Sequence, residues 1–294
     1  MKGLTEIIIW DVQRGCSVTA ILPDGRILWF DCGTGSCQSG VDFSPYKFMK
    51  SPLIDLLVLS HPHKSHLEDF CRIPPDNVKK CLFSSRLSRY YIEAFRELEW
   101  SKVNIQDQVV KNFVIQDSFQ CGVACIYRFP FGALLTIFGY WVEENIGDNM
   151  NNYSVVIFFA QGNNLLCLPG DIEEEGWEYL LQKHSPLFED LLRKTNIFVA
   201  SHHGSKSGFF SNLSSLLRAE IVVVPDGAKS ESEAMLYYEG ITSGHIVQKE
   251  IRNSTEWLYP PNFKKIKVLT ARNNGNVKIF LSENNFSVLA SKGV

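Results

Sequence analysis

Short apolar runs rich in β-branched and aromatic residues recur along this chain, separated by glycine, proline and asparagine, while few stretches carry a helical period. Residues 6–10 (EIIIW) and 17–22 (SVTAIL) read as strands. Pro23-Asp24-Gly25 reads as a turn and 26–30 as the returning strand of a hairpin. Residues 55–59 (DLLVL) form a compact run of the buried-strand type that stops at Ser60-His61-Pro62-His63. Residues 87–99 have helical spacing, with Tyr90, Tyr91, Ala94, Phe95 and Leu98 near one face. The stretch 108–138 reads as several short strands. Residues 153–159 and 165–168 are strong strands joined by Gln161-Gly162-Asn163-Asn164, a hairpin-turn composition. A helix over 173–182 has an acidic first turn, which suits the positive end of its dipole. A strand over 196–200 ends in Ser201-His202-His203-Gly204-Ser205, and a helix (209–217), a strand (221–224), a helix (230–239) and strands (265–270, 277–281) follow. The alternation persists without linker or low-complexity tract, so one α/β domain spanning 1–294 is expected, its sheets covered by helices.

Composition narrows the class without redirecting it. With 294 residues, 45 % hydrophobic and 12 % aromatic, the chain can bury a large core and is neither disordered nor fibrous. Balanced charge (29 Lys+Arg against 32 Asp+Glu, net −3) gives no general attraction to nucleic acid or anionic lipid, though a local basic groove stays possible. The opening MKGLTEIIIW has no basic region before a long apolar run, and no apolar run would span a bilayer. No membrane association and a cytoplasmic, reducing location are therefore expected. The eight cysteines are irregularly spaced with no CxxC pair, which reads as buried thiols.

The histidines carry the chemistry. Three of seven, His61, His63 and His66, fall within six residues, and His202 and His203 are adjacent. Both groups follow apolar strands, at the rim where sites are built. Neutral imidazole is the commonest metal ligand; a solvated polar loop with some capping work is the competing reading, and it accounts less well for a triplet and a doublet at two strand ends. Asp171, in Pro169-Gly170-Asp171, stands at a third strand exit, where it would either cap the following helix or complete a metal site.

These residues resemble the metallo-β-lactamase fold superfamily, and within it the soluble hydrolase domain of the DNA-uptake protein ComEC and its stand-alone relatives. Asp11-Val12 with Gly15 and Ser17 resembles the opening DVGQGDS motif, and 27–33 (ILWFDCG) the "LIDTG" segment. Residues 60–66 resemble THxHxDH, 151–156 "NNxSLV", 168–172 "LTGDI", 201–205 HHGS and 269–276 (LTARNNGN) the closing "TDRDGxI" strand. The resemblance implies a four-layer αββα sandwich and one or two divalent cations, Zn or Mn. It implies that His61 and His63 bind the first and that His66 and one of His202 or His203 bind the second. Asp171 would bridge them, and His202, nearer the strand end, is the expected partner of His66. Asp31 and Asn152 would hold the ligands from behind. Asp171, His66 and the residue at 65 would act on water, and Ser205, Lys206 and Ser207 would bind a phosphate.

Departures from the pattern matter as much. Ser65 replaces the signature Asp, removing a negative charge from a site for two cations, so the second cation is expected to be held weakly. Gln13, Arg14 and Cys16 replace Gly, Gln and Asp of the opening motif, Asp226-Gly227 lacks the SxGxxN pattern, and His245 is followed by Ile246 where proline is common. The expected activity is metal-dependent hydrolysis of a phosphodiester, nucleic acid included, with Arg86, Arg89, Tyr90 and Tyr91, and Lys264, Lys265 and Lys267, as candidate strand-binding clusters. Two alternatives stand beside it. One is a hydrolase of a small ester, lactone, thioester or cyclic nucleotide. The other is a degenerate, non-catalytic binding domain, which Ser65 keeps open.

Overall fold

The structure is a computed structural model that describes residues 3–13, 15–36, 42–97, 135–225, 233–249 and 265–292. The expected strands at 108–134, the residues Cys37, Cys121 and Cys125, the Asp226-Gly227 segment and Lys264 lie outside the described residues.

Two large sheets carry most strands of the described chain, and Gly35–Ser36 pairs with Asp42–Phe43 in a separate two-stranded ribbon. The larger has nine strands in the order Lys265–Ile266, His245–Lys249, Phe286–Ala290, Val277–Leu281, Thr5–Ile9, Ser17–Ile21, Ile27–Cys32, Leu56–Val58 and Cys81–Leu82. The smaller has six: Val268–Thr270, Ile221–Val224, Ile197–Val199, Asn164–Leu168, Val156–Gln161 and Leu135–Tyr140. The expected N-terminal hairpin forms, with Ile21 opposite Ile27 and Val18 opposite Phe30. The central hairpin closes with Gln161 opposite Asn164.

Period-2 alternation sorts strand residues onto two faces. Ile7, Ile9, Val18, Leu28 and Phe30 of the larger sheet share one apolar cluster with Ile157, Phe159, Leu166, Val199 and Val223 of the smaller, the layer between the sheets. The alternate residues Phe158, Cys167, Phe198 and Val222 cluster with Trp177, Leu180, Phe188 and Leu192 of the helices Glu174–His184 and Leu187–Lys194. Trp29 and Leu57 face Tyr46, Leu67 and Phe70 of helical segments in the first third of the chain. The result is a mixed α/β sandwich whose central strands are buried on both faces, which is why they read as continuous apolar runs rather than as an alternation.

Some elements differ from expectation. Tyr153 belongs to a 3-10 turn, Met150–Tyr153, and the strand begins at Val156. The helix expected over 209–217 contracts to one turn, Leu213–Leu216. There the Ser214 and Ser215 hydroxyls donate to the carbonyls of Ser211 and Asn212 (2.7 and 2.8 Å), competing with the helical backbone bonds. Among the described residues the later helix runs Glu233–Ile241, ending two residues beyond the expected Glu239. Four of the five described cysteines, Cys16, Cys32, Cys81 and Cys167, are buried, while Cys71 is exposed.

Strand direction positions the site. Ile27–Cys32 runs parallel to Leu56–Val58, and Asn164–Leu168 parallel to Ile197–Val199. The loops at 59–66, 169–171 and 200–204 therefore leave the C-terminal ends of their strands. Val155 N–H donates to Ser60 O (3.0 Å) and His202 N–H to Gly170 O (3.2 Å), tying these loops together across the rim.

Candidate metal centre

Three loop segments bring His61, His63, His66, Asp171 and His203 into one cluster. His61 Nε2 lies 3.0 Å from His63 Nδ1 and 3.5 Å from Asp171 Oδ2. His66 Nε2 lies 3.2 Å from Asp171 Oδ1 and 3.3 Å from His203 Nε2, and His203 Nε2 is 3.4 Å from Asp171 Oδ2. His61, His66 and Asp171 are almost fully buried. Asp171 is the hub, its two oxygens facing different histidines. The N-cap position of the following helix is Glu173, so Asp171 is free of the capping role.

Close backbone approach makes this convergence possible. Gly170 has φ +61°, and a Cβ there would meet Ser60 Cβ at 2.8 Å and Ser154 Cβ at 3.0 Å. Gly33 packs against the histidine loop, where a Cβ would meet Ser65 O and, at 2.7 Å, both Cys16 N and Cys16 O. Cys16 N–H also donates to Ser65 O (3.1 Å), which pins the short helix Lys64–Leu67 that carries His66.

Behind the cluster, Asp31 orients the histidine loop. Its Oδ1 accepts from Ser60 N–H (2.7 Å), and its Oδ2 accepts from Ser60 Oγ–H (2.8 Å) and faces His66 Nδ1 at 2.7 Å. Asp31 holds φ +55°, a left-handed conformation that Asp tolerates better than most residues. Ser60 Oγ is also 3.0 Å from His61 Nδ1, and Ser154 Oγ is 3.3 Å from the same atom while accepting from Asp171 N–H (3.2 Å). The two serines thus couple His61, His66 and Asp171.

Electrostatics divides the histidines. Burial, with the neighbouring His66 charge, pushes the His61 pKa well down, and burial lowers that of His63, so both rings are neutral at pH 7 with lone pairs to offer. For His66, burial works downward, but Asp171 and Asp31 outweigh it and raise the pKa to about 10. Burial alone would raise the Asp171 pKa; His66, His203 and His61 override it, so Asp171 is a carboxylate.

The adjacent histidines, His202 being the one expected to partner His66, lie apart: His203 Nε2 joins the cluster and His202 does not. His202 Nδ1 is held 2.7 Å from Glu173 Oε1 and 2.9 Å from Ser207 Oγ. Both residues adopt left-handed backbone (φ 47° and 53°), and two such residues in succession turn neighbouring side chains to different sides of the loop. Proximity to the strand end is therefore not what selects the inward ring.

Other expected residues fall around this core. Ser65 is half-buried and engages through its carbonyl; its hydroxyl makes no hydrogen bond to the cluster among the described residues. Asn152 touches neither the histidines nor Asp171. Its Oδ1 accepts from Glu173 N–H (3.0 Å) and Gly176 N–H (3.3 Å), capping the helix from outside and setting Glu173 against His202. Ser205 and Ser207 hydroxyls bond each other (3.0 Å), and Ser207 Oγ–H also donates to Glu173 (3.2 Å), while Lys206 is exposed beside them. Of the basic-aromatic clusters, Tyr90 is exposed, but Tyr91 is buried and donates to Leu59 O (3.0 Å). Arg86 donates to Glu143 O and lies over the Tyr153 ring, and Arg89 pairs with Glu93. Lys265 is exposed, and Lys267 donates to Glu239 O.

Sequence reading missed three contributors: Ser60, Glu173 and Cys16. Ser60 directly precedes the first histidine, in the Thr place of the THxHxDH-like segment, which was the available signal. Cys16 occupies the acidic place of the DVGQGDS-like segment, which was the available signal. Its Sγ lies within 4.8 Å of ligand atoms of Asp31 and His66, and burial, then Asp31 and Asp171, push its pKa well up.

No family model matches this chain. It is 21 % identical over 235 residues to Recombination protein 2 of Haemophilus influenzae, a match covering 77 % of this chain and 25 % of that protein. The chain thus spans about a quarter of the length of the curated relative it matches. Among solved structures it is similar to a protein of Parabacteroides distasonis assigned as a metal-dependent hydrolase (TM-score 0.43, 12 % identity, covering 79 % of this chain and 88 % of that one). It is also similar to unliganded yeast PDE1 (TM-score 0.41, 12 % identity, covering 82 % of this chain and 96 % of that one).

Proposed function

We propose that this chain is a metal-dependent hydrolase of phosphodiesters, built as a single four-layer αββα domain of the metallo-β-lactamase type. The carrying observation is the spacing of the cluster. Ligand atoms at about 2.0–2.1 Å from a tetrahedral cation lie about 3.3–3.4 Å from one another. The separations around Asp171 are 3.2, 3.4 and 3.5 Å, and His66 and His203 are 3.3 Å apart. Nitrogen and carboxylate donors buried together at that spacing fit a zinc- or manganese-class ion. His61, His63 and Asp171 would hold one cation, and His66, His203 and Asp171 a second. A single carboxylate shared by four histidines, with Ser65 adding none, favours one firmly held ion over two.

A bound divalent cation supplies Lewis acidity at the scissile phosphorus and activates water. The remaining work falls to the chain. Asp31 and Ser60 hold His66 by Nδ1 so that Nε2 faces inward. Ser154 fixes His61 against Asp171. Glu173 and Ser207 hold His202 at the rim, and exposed Lys206 offers a positive charge to an incoming phosphate. Similarity to a protein named for recombination favours nucleic acid as the phosphodiester.

The test is metal content with turnover. Purified protein is expected to retain zinc or manganese and to hydrolyse bis-p-nitrophenyl phosphate and at least one of single-stranded DNA, double-stranded DNA or RNA. His61→Ala and Asp171→Ala should lose both properties. Protein that binds neither ion, and leaves every substrate intact with either ion added, overturns the reading.

A further inference from the structure

The two nitrogens of His66 face different neighbourhoods. Nε2 faces Asp171 and His203. Nδ1 faces Asp31 Oδ2 (2.7 Å) and Ser60 Oγ (3.3 Å). Beside Asp31 and His66 stands Cys16, 9 % exposed, whose Sγ makes no hydrogen bond among the described residues. Cys16, Asp31 and His66 each present one ligand atom within 4.8 Å of the others, and all three are buried. Ser60 Oγ, 2.8 Å from Asp31 Oδ2, adds a neutral oxygen donor.

We propose that Cys16, Asp31 and His66 Nδ1 form an inner site for a thiophilic divalent cation, Zn2+ or Cd2+, behind the outer cluster, and that filling it withdraws His66 from that cluster. Three arguments carry this. The donors are one sulfur, one carboxylate and one imidazole nitrogen, the mixture that selects zinc-class ions over magnesium or manganese. Thiolate and carboxylate together neutralise a divalent charge, so a buried ion there leaves no net charge in the low-dielectric interior. Finally, the thiol is a buried polar group without a partner, and the required movement is small. The His66–Asp31 contact of 2.7 Å opens to the edge of a tetrahedral shell, about 3.3 Å. Binding releases the Sγ–H proton and the Nδ1–H proton to solvent. Nε2 then carries the ring's remaining hydrogen and has no lone pair for an outer ion. The inner site stands independently of the hydrolase reading; only the withdrawal of His66 rests on it.

Cadmium titration tests the site directly. Wild type should develop an ultraviolet thiolate-to-cadmium charge-transfer band saturating at one equivalent. The band should persist in His203→Ala, which disables only the outer cluster, and vanish in Cys16→Ser. On zinc-loaded wild-type protein freed of unbound zinc, X-ray absorption should find sulfur at about 2.3 Å, the zinc–thiolate distance, averaged with the nitrogen and oxygen shell of any outer ion, so the outcome does not depend on any variant folding. If the manganese-loaded protein is active, excess zinc should inhibit it and spare Cys16→Ser. A shell of nitrogen and oxygen alone, or an undiminished band in Cys16→Ser, overturns the inner site. Zinc inhibition equal in wild type and Cys16→Ser overturns the withdrawal of His66.

Discussion

Asp31→Asn keeps the size of the side chain that anchors the histidine loop and removes its charge. The carboxylate faces three groups, Ser60 N, Ser60 Oγ and His66 Nδ1, at 2.7, 2.8 and 2.7 Å. In the unfolded chain His66 titrates near 6.5; in the folded, metal-free protein burial opposes its charge, but Asp171 and Asp31 carry the pKa to about 10. A raised folded-state pKa stabilises fully below the unfolded value, and that stability is lost as pH climbs from about 6.5 through about 10. At about 1.4 kcal/mol per unit, the shift corresponds to an upper figure of about 5 kcal/mol, shared between the two carboxylates. Asp31→Asn should remove roughly half, about 2 kcal/mol of pH-dependent stability, leaving the part due to Asp171. The assay is urea unfolding in chelator from about pH 6 to about pH 9.5. Wild type should lose about 2 kcal/mol more over that range than the variant. Parallel stability–pH curves would refute the claim that Asp31 holds a protonated His66. Cation affinity of the variant should also fall by about 10–100-fold, the usual cost of losing a partner behind a ligating histidine.

Three further outcomes follow from the geometry. His203→Ala should lower bound metal by about tenfold or more while His202→Ala leaves the stoichiometry unchanged, as read by elemental analysis after dialysis; the reverse order would return the ligand role to His202. Gly33→Ala drives a Cβ into the Ser65 and Cys16 backbones, which cannot yield as a side chain does. It should cost about 1–3 kcal/mol in chemical denaturation, and a loss below about 0.5 kcal/mol would show that the histidine loop moves freely. Ser65→Asp returns a carboxylate between His63 and His66 and should raise metal content toward two ions per chain; unchanged content would show that position 65 does not limit the second ion.

Legibility in the sequence followed the range of the interaction. The hairpin over Val156–Gln161 and Asn164–Leu168 was readable because apolar runs and a Gly-Asn turn are adjacent. The triplet His61, His63, His66 was readable because six residues enclose it. The helix Ser88–Glu97 was readable from its period, but that period did not say that Tyr91 turns inward onto Leu59 while Tyr90 faces solvent. Asn152 was expected behind the metal ligands; its amide oxygen accepts from Glu173 and Gly176 N–H, a contact across more than twenty residues that no local pattern reveals.

By itself, then, the sequence determined the strand runs, the three loop segments rich in ligands, and the deficit of one carboxylate at Ser65. Each of these is local, set by side-chain type and spacing along a few residues. Tertiary structure alone decided that Asp31 meets His66 across 35 positions, that His203 rather than His202 meets it across 137, and that Cys16 stands behind it. Those choices depend on left-handed backbone at 202 and 203 and on the close approach at Gly33 and Gly170. Both arise only when the two sheets pack and bring distant strand ends to one rim.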